Sequence, residues 1–125
     1  MNVDRLAHSY GPVREDDIRI WCQLMRDNNP VHLDPAAAAS LGFGARVVNP
    51  GPANLALLFN MLLDGLPGHE IAEVDAMFHD NAQTGDLLVA EGRVLDETGR
   101  CVEARLLREG DLLVSTRVGM RATGK

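Results

Sequence analysis

The residues whose types and spacing could do chemistry lie between positions 27 and 34, in the run DNNPVHLD. Two carboxylates, two carboxamides and one imidazole fall within these eight positions. Proline fixes its own φ and pushes the residue before it towards an extended conformation, so Pro30 stiffens the middle of the run. Asp27 and His32 therefore lie at the two ends of a rigid bend, where they are free to converge. A carboxylate and an imidazole on a stiff loop are typical of a site that transfers protons.

The segments on either side of this loop read as helices that hold it in place. A helix is predicted to begin at Glu15, because acidic residues crowd the first turn, where the helix dipole favours negative charge. Its apolar face has the spacing i, i+3, i+4, i+7 and consists of Ile18, Trp21, Cys22 and Met25. After the loop, Asp34 is the predicted N-cap of a short helix. Pro35 occupies the first position of this helix, which continues through 36–39. Residues 46–48 are predicted to be extended.

The second half of the chain predicts one buried helix followed by a sheet. Residues 53–63 are apolar nearly all round, and a helix without a polar face is a buried helix. Four strands follow, over 70–79, 86–95, 100–108 and 111–121. Residues 1–13 read as a poorly specified arm or as a first strand. Helices first and strands last indicate the α+β class, with an antiparallel sheet wrapped around the helix over 53–63 and a single domain over 1–125.

Composition and charge exclude several classes of partner. The chain is 46% hydrophobic, has a formal net charge of −6 and a pI near 5.1, so neither nucleic acid nor an anionic membrane is expected to bind it. Cys22 and Cys101 match no metal or redox spacing and are expected to be small buried hydrophobes in a reducing cytoplasm. The four histidines form no metal pattern. The longest apolar stretch is too short to span a bilayer.

The motif of residues 27–34 and several residues after it resemble the MaoC-like (R)-specific enoyl-CoA hydratases and dehydratases. The shared residues are Asp27, Asn29, Pro30, His32 and Asp34, then Gly42-Phe43, then Gly51 before a long apolar helix, then Phe78 and Gly85-Asp86. The resemblance covers about residues 13–122, and its specific part is the run from 27 to 34. It implies the hot-dog fold, in which a sheet is rolled around a central helix, and a homodimer. It also implies addition of water across the double bond of a trans-2-enoyl thioester, or the reverse elimination.

The resemblance also implies roles for particular residues. Asp27 and His32 correspond to the catalytic pair, and the N–H of Gly51 corresponds to the donor to the thioester oxygen. The candidate substrate-binding residues are Asn29, Pro50 and Asn54. For Asn29 a structural role within the loop stays open, and for Asn54 a hydrogen-bonded core amide stays open. No metal or other cofactor is expected, and coenzyme A is the expected carrier of the acyl thioester.

The chain departs from the pattern of the family in three places, and these departures keep alternative functions open. Pro50 stands where the family usually has histidine, and Arg26 stands where it often has a small residue. The start of the central helix often carries serine or threonine in the family, yet residues 50–63 contain neither. One alternative is a thioesterase on the same fold, against which the absence of Asp and Glu from residues 53–63 counts. The other is a subunit without catalytic activity that binds a small molecule. The presence of both Asp27 and His32 distinguishes the hydratase hypothesis from these two.

Overall fold

The computed structural model describes residues 5–124, so residues 1–4 and 125 of the predicted domain lie outside the described range. The helices are α1 Glu15–Met25, α2 Pro35–Ser40 and α3 Gly51–Gly65, with a 3-10 turn at Pro30–His32 between α1 and α2. The strands are β1 Arg5–Tyr10, β2 His69–Phe78, β3 Leu88–Val94, β4 Cys101–Arg108 and β5 Asp111–Ala122. In the described range no helix is long and apolar enough to cross a membrane.

The five strands form one antiparallel sheet with the order β1-β3-β4-β5-β2. The four strands predicted from the second half of the chain are confirmed, with ends that move by up to two residues. The open question about the first segment is decided in favour of a strand, because β1 pairs with β3 from Arg5↔Arg93 to Tyr10↔Leu88. The sheet therefore has two free edges, β1 on one side and β2 on the other.

Helix α3 packs against the sheet and is the centre of the core. It contacts β1, β2, β3 and β4, and its residues Leu58, Met61 and Leu62 are fully buried. The predicted class, an α+β protein with an antiparallel sheet around a buried helix, is confirmed. The helix is longer than the predicted 53–63, because it already begins at Gly51 and continues to Gly65.

A row of mostly small side chains, with Leu6 at one end, crosses the sheet below α3. The strand registers align Leu6, Gly92, Ala104, Thr116 and Ala76 across β1, β3, β4, β5 and β2. A Cβ built on Gly92 would lie 2.9 Å from the terminal methyl of Met61, so the absence of a side chain at Gly92 makes room for Met61 of the helix. The hydroxyl of Thr116 donates to the Ala104 carbonyl oxygen at 2.8 Å, which satisfies this buried polar group.

Two details of the sequence predictions need correction. The loop over 27–34 is not irregular throughout, because Pro30–His32 forms one turn of 3-10 helix. Cys22 is buried as predicted, whereas Cys101 is only partly buried, since it begins the strand β4 on the outer face of the sheet.

The predicted N-cap at Asp34 is confirmed, because its carboxylate accepts the Ala36 N–H at 2.9 Å.

Helix α3 offers a direct test of the core, because Leu58 is fully buried in it, whereas Leu63 is 45% exposed. We expect Leu58→Ala to lower the free energy of unfolding by about 3 kcal/mol or more, since it leaves a cavity against the sheet. The matched change Leu63→Ala should cost less than about 1 kcal/mol. Urea unfolding followed by circular dichroism measures both values, and equal losses would contradict the placement of α3.

Candidate active site

The C-terminus of α1 fixes the position of Asp27. Arg26 adopts the left-handed conformation, with φ 53°, and the N–H of Asp27 donates to the Cys22 carbonyl at 2.9 Å. Left-handed φ is costly for a residue with a Cβ, and such strain is found mostly at functional sites. Burial, followed by the nearby Asp27 carboxylate, raises the pKa of the Cys22 thiol. The backbone of Asp27 is thus fixed to the last turn of α1.

Short hydrogen bonds within the loop turn the chain back from Asp27 towards His32. The Asn29 N–H donates to Oδ1 of Asp27 at 3.0 Å, and the Asn29 side chain accepts the Val31 N–H at 3.2 Å. Pro30 is the first residue of the 3-10 turn, where its missing N–H costs nothing. The carboxamide of Asn29 is therefore committed to the loop itself, which supports the structural role that the sequence left open.

The imidazole of His32 is oriented by a backbone carbonyl. Its Nδ1 lies 2.7 Å from the carbonyl oxygen of Val48, while the Val48 N–H donates to the Val31 carbonyl at 3.0 Å. A carbonyl can only accept, so Nδ1 bears the proton and donates it. In the neutral ring the lone pair is then on Nε2, the nitrogen that faces Asp27.

The structure brings Asp27 and His32 together, as the sequence predicted. Oδ2 of Asp27 lies 3.5 Å from Nε2 of His32, and the side chains are 33% and 12% exposed, respectively. An ionised carboxylate and an unprotonated Nε2 are both acceptors, so in this state no hydrogen bond joins the two side chains directly. A water molecule placed between them can donate one hydrogen to each. The same arrangement becomes an ion pair once Nε2 gains a proton.

The start of α3 leaves one backbone donor unused by the helix. Pro52 has no N–H, and the N–H groups of Ala53 and Asn54 both donate to the Pro50 carbonyl, at 3.0 and 3.3 Å. The N–H of Gly51 is the first of the helix, and first-turn N–H groups lack intrahelical acceptors. Gly51 is therefore the donor that the helix start presents, three residues after the carbonyl that orients His32.

The remaining predicted residues around the helix start lie in packed surroundings. A Cβ built on Gly51 would lie 3.3 Å from Cε1 of Phe78, at the end of β2. Pro50 is buried at the N-cap position. Asn54 is only 2% exposed, and its side-chain oxygen accepts a 2.7 Å hydrogen bond from Asn49, as expected for a core amide.

An apolar cavity of about 270 Å³ opens between α1 and α3. Trp21 and Ile20 line it from α1, and Ala53 and Leu57 line it from α3. Asn49, which directly follows the carbonyl that orients His32, also lines this cavity. In residues 5–124 no group of three or more His, Cys, Asp or Glu is placed to hold a metal ion.

Sequence reasoning missed two contributors to this site. The carbonyl of Val48 carries no signal, because every residue has one and only the fold decides which carbonyl meets an imidazole. Asn49 did carry a signal, since a carboxamide between apolar residues and the buried helix must find a hydrogen-bond partner. Its partner, Asn54, is itself a polar exception on that helix.

The curled antiparallel sheet with one buried central helix is the hot-dog fold, and solved structures with this fold match nearly the whole chain. The (R)-hydratase from A. caviae involved in PHA biosynthesis superimposes with a TM-score of 0.85 and 25% identity, covering 98% of this chain and 97% of that one. The R-hydratase PhaJ1 from Pseudomonas aeruginosa has a TM-score of 0.84 and 22% identity, with 100% and 84% coverage.

The HadBC (3R)-hydroxyacyl-ACP dehydratase complex from Mycobacterium tuberculosis gives a TM-score of 0.71 at 19% identity, with 96% and 98% coverage. The model of the MaoC-like domain matches residues 4–110, and the chain therefore belongs to this dehydratase family. No curated protein sequence matches the chain.

Proposed function

We propose that this protein is a hydratase or dehydratase that adds water across, or eliminates it to form, the C2–C3 double bond of an enoyl thioester. The observation that supports this most directly is the pair of acceptors 3.5 Å apart, Oδ2 of Asp27 and Nε2 of His32. Because Nδ1 is occupied by the Val48 carbonyl, Nε2 is the nitrogen available for proton transfer. The pair is suited to hold and deprotonate one water molecule.

In the hydration direction the pair orients a water molecule towards C3 of the substrate. As the new O–C3 bond forms, the water loses a proton to one member of the pair, and the π electrons move towards the thioester oxygen. The enolate that results then takes a proton at C2 from the pair. Protons and electrons balance within the two side chains, water and substrate, so this reaction requires no oxidant or reductant.

The negative charge on the thioester oxygen requires a donor, and we assign this role to the N–H of Gly51. It lies at the N-terminus of a 15-residue helix, where the helix dipole favours negative charge. One well-placed donor of this kind lowers a barrier by about 3–4 kcal/mol. Glycine also lets the carbonyl approach the backbone without a Cβ in the way.

An acyl thioester fits the apolar surroundings of the helix start. The cavity between α1 and α3 offers apolar side chains beside Asn49, and we propose that it accommodates part of the acyl group. The (R)-hydratases and the (3R)-hydroxyacyl-ACP dehydratase among the similar structures support this substrate class by their names. We propose coenzyme A as the carrier.

The thioesterase alternative has little support in this geometry. Helix α3 carries a single carboxylate, Asp64, in its last turn, at the opposite end from Gly51. The alternative of a binding subunit without catalytic activity rests on Pro50, which replaces a histidine usual in the family. Turnover measurements on purified protein decide between a hydratase and such a subunit.

We further propose that the protein is a homodimer whose sheets meet at the free edge of β2, with the site near this interface. Edge strands with unpaired backbone groups invite pairing with a second chain, and β2 exposes Val74, Met77 and Phe78. Light scattering should give twice the chain mass of 13.6 kDa.

The variant Val74→Lys should shift the dimer towards monomer, because it places a charge in the proposed interface. Val89→Lys is a matched control, because Val89 is 36% exposed compared with 37% for Val74. Val89 lies on β3, which has a neighbouring strand on each side and is not an edge strand. A wild-type protein of 13.6 kDa at micromolar concentration, or equal effects of the two changes, would contradict the proposed interface.

The catalytic pair can be tested by single and double substitution. We expect Asp27→Asn and His32→Ala each to lower kcat by about 10²–10⁴-fold with crotonyl-coenzyme A, as for general acid–base groups. Because both residues handle the same water, the double variant should be little worse than the worse single one. Asp34→Asn, in the same loop, and His69→Ala, on the surface, are the controls. Near wild-type turnover by either single variant would remove that residue from the mechanism.

The oxyanion role can be tested with Gly51→Ala. The φ of Gly51 lies outside the left-handed region, so alanine fits the backbone, but its Cβ would press on the Phe78 ring. We expect kcat to fall by about 10–10²-fold through displacement of the donor, with unchanged circular dichroism. Adding Phe78→Leu should recover part of the loss if crowding causes it. A folded Gly51→Ala protein with unchanged kcat and KM would contradict the assignment of the Gly51 N–H as the donor to the thioester oxygen.

A further inference from the structure

Asp86 is a buried carboxylate outside the catalytic pair. Its side chain is 6% exposed, Oδ1 accepts from Nη1 of Arg46 at 2.9 Å, and Oδ2 accepts from Nη1 of Arg108 at 3.2 Å. Oδ2 also accepts the backbone N–H of Gln83 at 2.8 Å. Burial by itself raises the pKa of Asp86, but the bonds from Gln83, Arg46 and Arg108 outweigh it and lower the pKa. The group is thus held as a carboxylate, and removing one partner from such a cluster is costly.

The turn that Asp86 closes is bonded to the segment that precedes α3. The side-chain nitrogen of Gln83 donates to the carbonyls of Phe43 and Arg46, at 2.7 and 2.9 Å. Nη1 of Arg46 also donates to the Thr84 carbonyl at 3.0 Å. Arg46 therefore binds the turn through both its side chain and its backbone.

These bonds continue on both sides of Val48. The Thr84 N–H donates to the Val47 carbonyl at 3.1 Å, and the Asn49 N–H donates to the Ala82 carbonyl at 2.8 Å. Val48 itself forms an isolated antiparallel bridge with Gln83. The residues before and after Val48 are thereby locked to the turn, and the carbonyl of Val48 is left to accept Nδ1–H of His32.

We propose that Asp86 is a positioning residue for His32, acting through Arg46 and the turn at 80–86 to hold the Val48 carbonyl against Nδ1. The proposal rests on the proposed function only for its effect on turnover. Its effect on the tautomer of His32 is independent of any activity. Which ring nitrogen of a histidine carries the proton is set by the hydrogen bond that the other nitrogen makes or lacks.

The experiment changes three residues, one at a time, in full-length protein. Asp86→Asn keeps the shape of the side chain and removes its charge, whereas Arg46→Gln removes the ion pair from the side of the 43–49 segment. The control is Arg105→Gln, because Arg105 also lies 2.9 Å from a carboxylate, that of Glu91, and its side chain is 52% exposed, as is that of Arg46. Nitrogen-15 NMR of the histidine ring reports the tautomer, and thermal unfolding reports stability.

We expect His32 to be in the Nδ1–H form in the wild-type protein and in Arg105→Gln. Asp86→Asn and Arg46→Gln should add a population of the Nε2–H form, and Arg46→Lys should reduce that population by restoring a cation. If the protein is active, kcat should fall by about 10–10²-fold in both variants, as for a misplaced catalytic group.

Two results would overturn the role of Asp86. One is a folded Asp86→Asn protein with an unchanged His32 tautomer, which would show that the ion cluster only stabilises the fold. If Asp86→Asn does not fold, Arg46→Gln gives the answer, because half of its side chain is exposed, and an unchanged tautomer there is equally decisive. A protein without hydratase activity whose tautomer shifts would refute the proposed function and leave the positioning role supported.

Discussion

The rest of this structure depends on shielding one helix, α3, from water, because this helix has almost no polar face. Helix α3 can be stable only if apolar groups surround it, and a single sheet covers one side of it. The row of small residues from Gly92 to Thr116 lets the sheet approach closely, and the chain between α1 and α3 covers the start of the helix. Part of the helix stays exposed, at Asn60, Leu63 and Asp64, and the dimer that we propose would supply a second copy of the chain as further cover.

The same constraint explains where the site lies. Only irregular chain can wrap over the start of α3, and irregular chain must find partners for its backbone groups. Those partners are the loop at 27–32, the segment at 43–49 and the turn at 80–86, which bond to one another in sequence. Asp27 and His32 are consequently held mainly by main-chain groups, and their separation depends on a network that ends at Asp86.

The sequence anticipated the site better at its side chains than at its backbone. Asp27 and His32 could be selected because their chemistry and spacing are visible in the chain, whereas Gly51 was selected through the resemblance to a known family. The 3-10 turn at 30–32 could not be separated from a loop, since a single turn has no periodicity. Phe78 over Gly51 was also beyond reach, because the contact joins positions far apart in the chain.

By itself the sequence determined the class of the fold, the buried helix and the strands, because local patterns of apolar and polar residues specify these, and it named the candidate reactive groups by their chemistry. Tertiary structure alone decided that the first segment is a strand, since its paired residues in β3 lie 78 to 88 positions later in the chain. It likewise decided the tautomer of His32, because that depends on the Val48 carbonyl, which is fixed in space by bonds to a turn that comes more than 30 residues later in the chain.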